Sequence, residues 1–220
     1  ASKVLPQLFQ TLHDAALGVT MGASNSPQIR FDHASFVGTF TGALSKKYDI
    51  VEQIGAGVGG VAFLVHCKGK TGSYVAKKTR DMTPKGKRTF LSEFRKMKEL
   101  QHPNCVKVVE LVEGRDLVNG IWQEQVYVIT ELAKGGDLFK YMHNLVDSSD
   151  GGATEGWIAQ VFKQVVKGVA FMHDRGMVHN DIKPDNILVM EEFDPSEPDK
   201  VPWVQISDYG TATFAWDTSF

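Results

Sequence analysis

Between Val178 and Val189 the chain reads Val-His-Asn-Asp-Ile-Lys-Pro-Asp-Asn-Ile-Leu-Val, and three of these side chains suit one chemistry. Asp181 offers a base, Lys183 a cation and Asn186 a metal-binding amide within six residues, between apolar segments able to pin the loop onto a folded core. Phosphoryl transfer uses such a set, because it needs a group to orient a nucleophile and fixed positive charge around the transferred oxygens. A polar turn ahead of Pro184 is also at home on a plain surface loop, so the assignment depends on what the rest of the chain supplies.

Five other stretches bear on it. Tyr48–Ile54 alternates as a strand does, Gly55-Ala56-Gly57-Val58-Gly59-Gly60 follows, and Val61–Val65 is a second short apolar run. Strand, glycine turn, strand is a hairpin rather than the strand-to-helix turn of dinucleotide folds. Glycines at such a tip let backbone N–H groups approach phosphate oxygens; an ordinary hairpin turn has the same composition. Tyr74-Val75-Ala76-Lys77-Lys78 reads as a strand that sends consecutive lysines to opposite faces. Phe90, Phe94, Met97 and Leu100 recur at helical spacing with Glu93 on a neighbouring face. Val106–Val112 and Gln125–Thr130 read as two strands joined by a turn around Asn119-Gly120. Ile206-Ser207-Asp208-Tyr209-Gly210 brings a further carboxylate after another apolar run.

In this order and spacing the stretches resemble the protein kinase superfamily. The resemblance runs from about Tyr48 to Thr213, on the patterns Gly-x-Gly-x-x-Gly, Val-Ala-Ile-Lys, His-Arg-Asp-Leu-Lys-Pro-x-Asn and Asp-Phe-Gly. Lys183 resembles the serine/threonine branch. Lys47-Tyr48-Asp49 and Gly135-Gly136-Asp137-Leu138-Phe139 look most like the calcium/calmodulin-regulated and calcium-dependent kinases. The resemblance implies an α+β, two-lobed fold. Its N-lobe is an antiparallel sheet with one main helix, and its C-lobe is mainly helical and incomplete.

It also implies the roles. Asp181 orients and deprotonates a Ser or Thr hydroxyl of a protein substrate, and Lys183 steadies the γ-phosphate of ATP. Asn186 and Asp208 hold Mg2+. Lys78 anchors the α- and β-phosphates with Glu93 as its ion-pair partner. Ile54, Gly55, Gly57, Gly60, Ala62 and Ala76 form the roof over the nucleotide. Thr130 is the gatekeeper, and Glu131 and Ala133 present hinge backbone to adenine. Asp137 binds ribose or a basic substrate residue, or instead caps the helix that follows.

The chain departs from the family pattern at several points. Asn180 stands where most kinases carry Arg, Ile182 replaces Leu, and Tyr209 replaces Phe. Gly59 takes the place of an aromatic and Ala62 that of Val. Ten residues follow Gly210, leaving no counterpart of the Ala-Pro-Glu motif or of the later helices. Two readings follow. One is an ATP-dependent serine/threonine kinase; the other is a pseudokinase or truncated kinase acting as a nucleotide-binding or scaffold protein.

The remaining sequence sets the frame. A chain of 220 residues with net charge −2, 23% charged and 42% hydrophobic residues buries an ordinary core and offers no polybasic surface for nucleic acid. Cys67 and Cys105 lack metal or redox spacing and read as reduced core thiols. No run of eighteen apolar residues suggests a membrane span, and the expectation is a cytoplasmic protein, or a nuclear one. Residues 1–47 read as an N-terminal extension, 48–133 as N-lobe and hinge, and 134–220 as a partial C-lobe. Within the extension, Val4–Leu17 has one apolar helical face that packs on the core or binds a regulatory partner, and Gly22 to Pro27 read as linker. Asp147–Gly152 lacks the alternating oxygen ligands of a calcium loop. Glu191–Pro202, with three prolines, reads as an exposed elongated hairpin turn. Trp157–His173 reads as a helix buried on several sides, and on that ground the chain expressed alone is expected to be marginally stable.

Overall fold

The computed structural model describes residues 38–57, 60–118, 120–148 and 153–214. The Val4–Leu17 helix and the Gly22 to Pro27 linker lie outside the described residues, as do Val58 and Gly59 at the tip of the glycine hairpin.

A six-stranded sheet forms the first lobe, in the order β1-β5-β6-β4-β3-β2. Its strands are β1 (Gly38–Thr41), β2 (Tyr48–Gly57), β3 (Gly60–Cys67), β4 (Ser73–Lys78), β5 (Val108–Val118) and β6 (Ile121–Glu131). All neighbours pair antiparallel except β1 with β5. Sequence alternation gives no sign of β1, which is only four residues long. Its pairing with Glu110–Glu113 carries the sheet beyond Tyr48 toward the N-terminus. The β5–β6 hairpin is longer on both arms than the apolar runs suggest, because its outer residues are polar or solvent-facing.

Helix α1 (Pro84–Glu99) starts where Thr83 Oγ1 accepts from Gly86 N at 3.2 Å and Pro84 takes the first turn, where a missing N–H costs nothing. It buries Phe90, Phe94 and Met97. The i, i+4, i+7 spacing of these residues puts them on the stripe facing the sheet.

The second lobe contains α2 (Leu138–Ser148), α3 (Glu155–His173) and short strands β7 (Gly136–Asp137), β8 (Met177–Val178), β9 (Ile187–Val189), β10 (Val204–Ile206) and β11 (Thr213–Phe214). Strand β9 pairs antiparallel with β7 and β10, and β8 with β11. The Glu191–Pro202 stretch is the β9–β10 connection, and it is less free than its composition suggests. Trp157 Nε1 donates to Lys200 O at 3.1 Å, Gln164 Nε2 to Pro202 O at 2.8 Å, and Phe193 meets the Tyr141 ring edge-on. Helix α3 buries Trp157, Val161, Val165 and Met172, yet Ile158, Phe162 and Val166 are 40–44% exposed. The expected all-round burial is therefore half realised: one stripe of α3 is core and the next is open.

Two apolar clusters divide the sheet's faces. Val108, Leu111, Val126 and Val128 join Phe90, Phe94, Met97 and the second lobe in one continuous core. Leu44, Tyr48, Val65, Ala76, Val112, Tyr127 and Ile129 fill the opposite face. Buried among the latter is Glu110, which takes hydrogen bonds from Tyr48 Oη and from Lys47 Nζ, the latter at 2.6 Å. A buried carboxylate needs such partners. Cys67 and Cys105 are buried free thiols, as expected.

The glycines of the β2–β3 hairpin differ in function. At Gly57 an added Cβ meets nothing within 4 Å. At Gly60, where φ is +126°, it would run into the Lys78 carbonyl oxygen on β4. Gly60→Ala is expected to destabilise the protein by on the order of 2 kcal/mol or more, lowering the midpoint by roughly 5 °C, with Gly57→Ala within about 0.5 kcal/mol of wild type. Thermal unfolding of the two variants checks this; equal midpoints would refute it.

Candidate active site

Strand register decides which lysine enters the cleft. Lys77 is paired with Ala62 on β3 and Val128 on β6, and Val128 belongs to the core shared with α1. Ala76 is paired with Ile129, and both lie in the cluster on the opposite face. Since side chains alternate along a strand, Lys77 points toward α1 and Lys78 away from it. Lys77 Nζ accordingly meets Glu93 Oε1 at 2.8 Å and lies 3.8 Å from Asp208 Oδ1.

This corrects two expectations. Lys78 does not pair with Glu93; it donates to Gln125 Oε1 at 3.1 Å and sits over the Phe63 and Tyr127 rings. Ala76 is fully buried in the outer cluster and forms no part of a nucleotide roof. The Val-Ala-x-Lys pattern put both one residue out of register, and in a strand one residue is the difference between faces. Val75, on the face of Lys77 and opposite Thr130, takes the place assigned to Ala76.

Of the other expected roof and hinge residues, Gly55, Ala62 and Thr130 lie on that face. Ala62 shares the face of Lys77 and is opposite Gly55. Ile54 stands at a register irregularity in β2 and is 46% exposed. A bulge there re-aims the side chain out of the simple alternation. Thr130 ends the cleft face of β6, Glu131 is its last residue, and Ala133 follows in the turn, where its carbonyl accepts from Gly136 N at 3.2 Å. Of the alternatives for Asp137, the structure shows the cap: Oδ1 accepts from Lys140 N at 2.9 Å.

Asp181, Lys183 and Asn186 come together on the loop between β8 and β9. Lys183 Nζ meets Asp181 Oδ2 at 2.8 Å, and Asn186 Nδ2 reaches both Asp181 Oδ2 and Asp181 O at 2.9 Å. Both side-chain contacts fall on Oδ2. The Lys183 hydrogen bond, supported by that of Asn186, holds the Asp181 carboxyl below the usual aspartate range, so it is an ionised base at neutral pH. Lys183 is pushed up correspondingly by Asp181.

A buried frame ties this loop to Asp208. Ser207 N and Oγ both donate to Asn186 O, at 2.8 and 3.0 Å. His179, 2% exposed, accepts from Asp181 N at Nδ1 over 3.3 Å, which puts the ring proton on Nε2 for donation to Ser207 O at 2.9 Å. Thr211 Oγ1 donates back to His179 O at 3.0 Å.

The donor chemistry fits a hard divalent cation. Asp208 keeps a half-exposed carboxylate, and Asn186 spends its N–H bonds on Asp181, which leaves the amide oxygen as the end a magnesium ion takes. Among the described residues there is no cluster of three or more His, Cys, Asp or Glu side chains that would hold a metal unaided.

Comparison with known proteins agrees with this geometry. The protein kinase domain family matches residues 48–219. The chain belongs to the protein kinase family. It is similar to a calcium/calmodulin-dependent protein kinase type 1 from Macrobrachium nipponense, 36% identical over 170 residues, which are 76% of this chain and 44% of that protein. The human serine/threonine-protein kinase H1 is 29% identical over 189 residues, 86% of this chain and 40% of its own length. Calcium-dependent protein kinase 3 of Plasmodium yoelii yoelii is 28% identical over 203 residues, 90% and 34%. This kinase chain thus spans less than half the length of the curated relatives it matches. Their names agree with the serine/threonine branch read from Lys183.

The sequence pattern missed Lys77, and it gave no sign of Lys96, whose Nζ donates to Ala212 O from α1. It marked Asn180 as a departure without showing its contacts: Nδ2 donates to Thr211 O at 3.1 Å and to Thr213 Oγ1 at 3.0 Å. Lys77→Met is expected to weaken magnesium–ATP binding by about tenfold or more, whereas Lys78→Met stays within about twofold. Calorimetric titration of both variants checks the assignment, and the reverse order would restore Lys78.

Proposed function

We propose that this chain carries the ATP site and phosphoryl-transfer groups of a serine/threonine protein kinase. The observation that supports it best is the convergence of two charged arrays, Lys77–Glu93–Asp208 and Asp181–Lys183–Asn186, joined through Ser207 and Asn186 O.

Each residue has a definite task in this reading. Glu93 orients Lys77, whose ammonium binds the α- and β-phosphates. Gly55 and Gly57 leave the loop above them without side chains. Asn186 and Asp208 would hold Mg2+, which supplies positive charge against the phosphate oxygens when bound. Asp181 Oδ1 accepts the hydrogen bond, and then the proton, of a Ser or Thr hydroxyl on a protein substrate. Lys183 steadies the γ-phosphoryl oxygens from the Oδ2 side of the same carboxylate. The catalytic reading is favoured over a scaffold or pseudokinase because Lys77 pairs with Glu93 beside Asp208, and Asp181, Lys183 and Asn186 are hydrogen-bonded together.

Three measurements test this. Magnesium–ATP is expected to bind, and undetectable calorimetric binding at millimolar ATP would remove the assigned site. Asp181→Asn should lower kcat by about 10²- to 10⁴-fold with nucleotide affinity little changed. The pH profile carries a sign: activity falls as Asp181 protonates, and Lys183 holds that protonation low. Lys183→Ala should therefore move the acid limb of kcat/KM to higher pH, and a limb that stays in place or moves down contradicts the role given to Lys183.

Asn180 adds a regulatory expectation. An Arg at this position pairs with a phosphate on the activation segment, and Asn180 has no charge to do so. Its amide is instead engaged with Thr211 and Thr213. Phosphatase treatment of the full-length protein is expected to leave activity within about twofold, and its abolition would refute this.

A further inference from the structure

Asp208 has φ 63° and ψ 72°, a left-handed conformation that a residue with a Cβ adopts only where its surroundings impose it. What holds it differs on its two sides. On the N-terminal side the backbone is fixed by a ladder: Ile206 N donates to Asn104 O at 2.8 Å, Val106 N to Ile206 O at 2.9 Å, and Ser207 N to Asn186 O at 2.8 Å. On the C-terminal side the 3-10 turn Tyr209–Thr211 is closed by Ala212 N to Tyr209 O at 3.1 Å and anchored from Thr211 onward by His179, Asn180 and Lys96, but Asp208 itself gives that turn no side-chain cap.

The restraint that spans Asp208 itself comes from the side chain of Tyr209. Its ring is fully buried and edge-on to His179, with centroids 5.3 Å apart. Its hydroxyl turns back to donate to Ile206 O at 2.6 Å. The bond closes a loop that contains only Ser207 and Asp208 between its ends, so it spans the strained residue. The Ile206 oxygen, with two lone pairs, takes the Tyr209 hydroxyl and the Val106 N–H together. A phenylalanine fills the same pocket but cannot close the loop.

We propose that the Tyr209 hydroxyl is a positioning group that holds Asp208 in its left-handed turn and so aims the carboxylate at Lys77. Its effect on nucleotide binding rests on the reading of Asp208 as a magnesium ligand; its effect on the backbone does not.

The test compares Tyr209→Phe with wild type in the full chain by two readouts. Without nucleotide, amide hydrogen exchange over residues 207–212 should speed up by about tenfold while that of α3 stays within about twofold. In calorimetric titration, ATP with Mg2+ should bind about fivefold more weakly and ATP without metal as before. Unchanged exchange over 207–212, or an equal rise in α3 that reports a general loss of stability, would overturn the proposal. In an Asp208→Gly background, where glycine adopts the left-handed turn freely, the Phe substitution should alter exchange by less than about twofold. A persistent tenfold effect there would show that the hydroxyl does not act through residue 208. If wild type binds no magnesium–ATP, the kinase reading fails while the exchange result still decides the role of Tyr209.

Discussion

The ion pair between Lys77 and Glu93 is the constraint on which the rest of the site depends. Its side chains are 27% and 12% exposed, so neither charge is well solvated and each needs the other. Lys77 belongs to the middle of the sheet and Glu93 to α1. The pair therefore fixes the helix against the strand at the level of the cleft rather than merely stabilising a surface. Asp208, 3.8 Å from the same ammonium, brings the second lobe to that point. One cation thereby relates three elements, and a fault in any one of them displaces the other two.

Beyond this pair, order is carried mainly by uncharged hydrogen bonds. Asn186 O takes two bonds from Ser207, His179 joins Asp181 N to Ser207 O, and Thr211 returns to His179 O. In a buried setting such bonds fix geometry without the desolvation cost that a charge would carry. The same economy appears at Asn180, where an amide holds the segment after Tyr209 by direct contact. The charged groups that remain, Asp181, Lys183 and Asp208, have side chains 35–49% exposed.

Much of this was legible in the sequence. Phe90, Phe94 and Met97 gave α1, the apolar runs gave the sheet strands, and the short spacing from Asp181 to Asn186 already put Asp181, Lys183 and Asn186 within reach of one another, as their hydrogen bonds show. The two misplaced site residues have one origin. Lys77 and Lys78 are adjacent, both come directly behind the Val75-Ala76 pair, and only cross-strand register separates them. That register depends on pairing with β3 and β6, and no spacing within β4 encodes it. Ala76 was misplaced by the same step. The short strand β1 was invisible because four residues carry too little alternation to stand out. The open stripe of α3 looked buried because apolar residues around a helix do not say which neighbours cover them.

Tyr209 shows where pattern and physics part. As a departure from Asp-Phe-Gly it reads as a liability, a phenol whose hydroxyl costs roughly 1–3 kcal/mol if buried without a partner. The fold supplies the partner, Ile206 O, from the residue two positions before Asp208. The demand to satisfy a buried donor and the need to hold a left-handed aspartate are met by one bond. A substitution that looks degenerate in the sequence is, in the folded chain, a local restraint on the carboxylate beside Lys77.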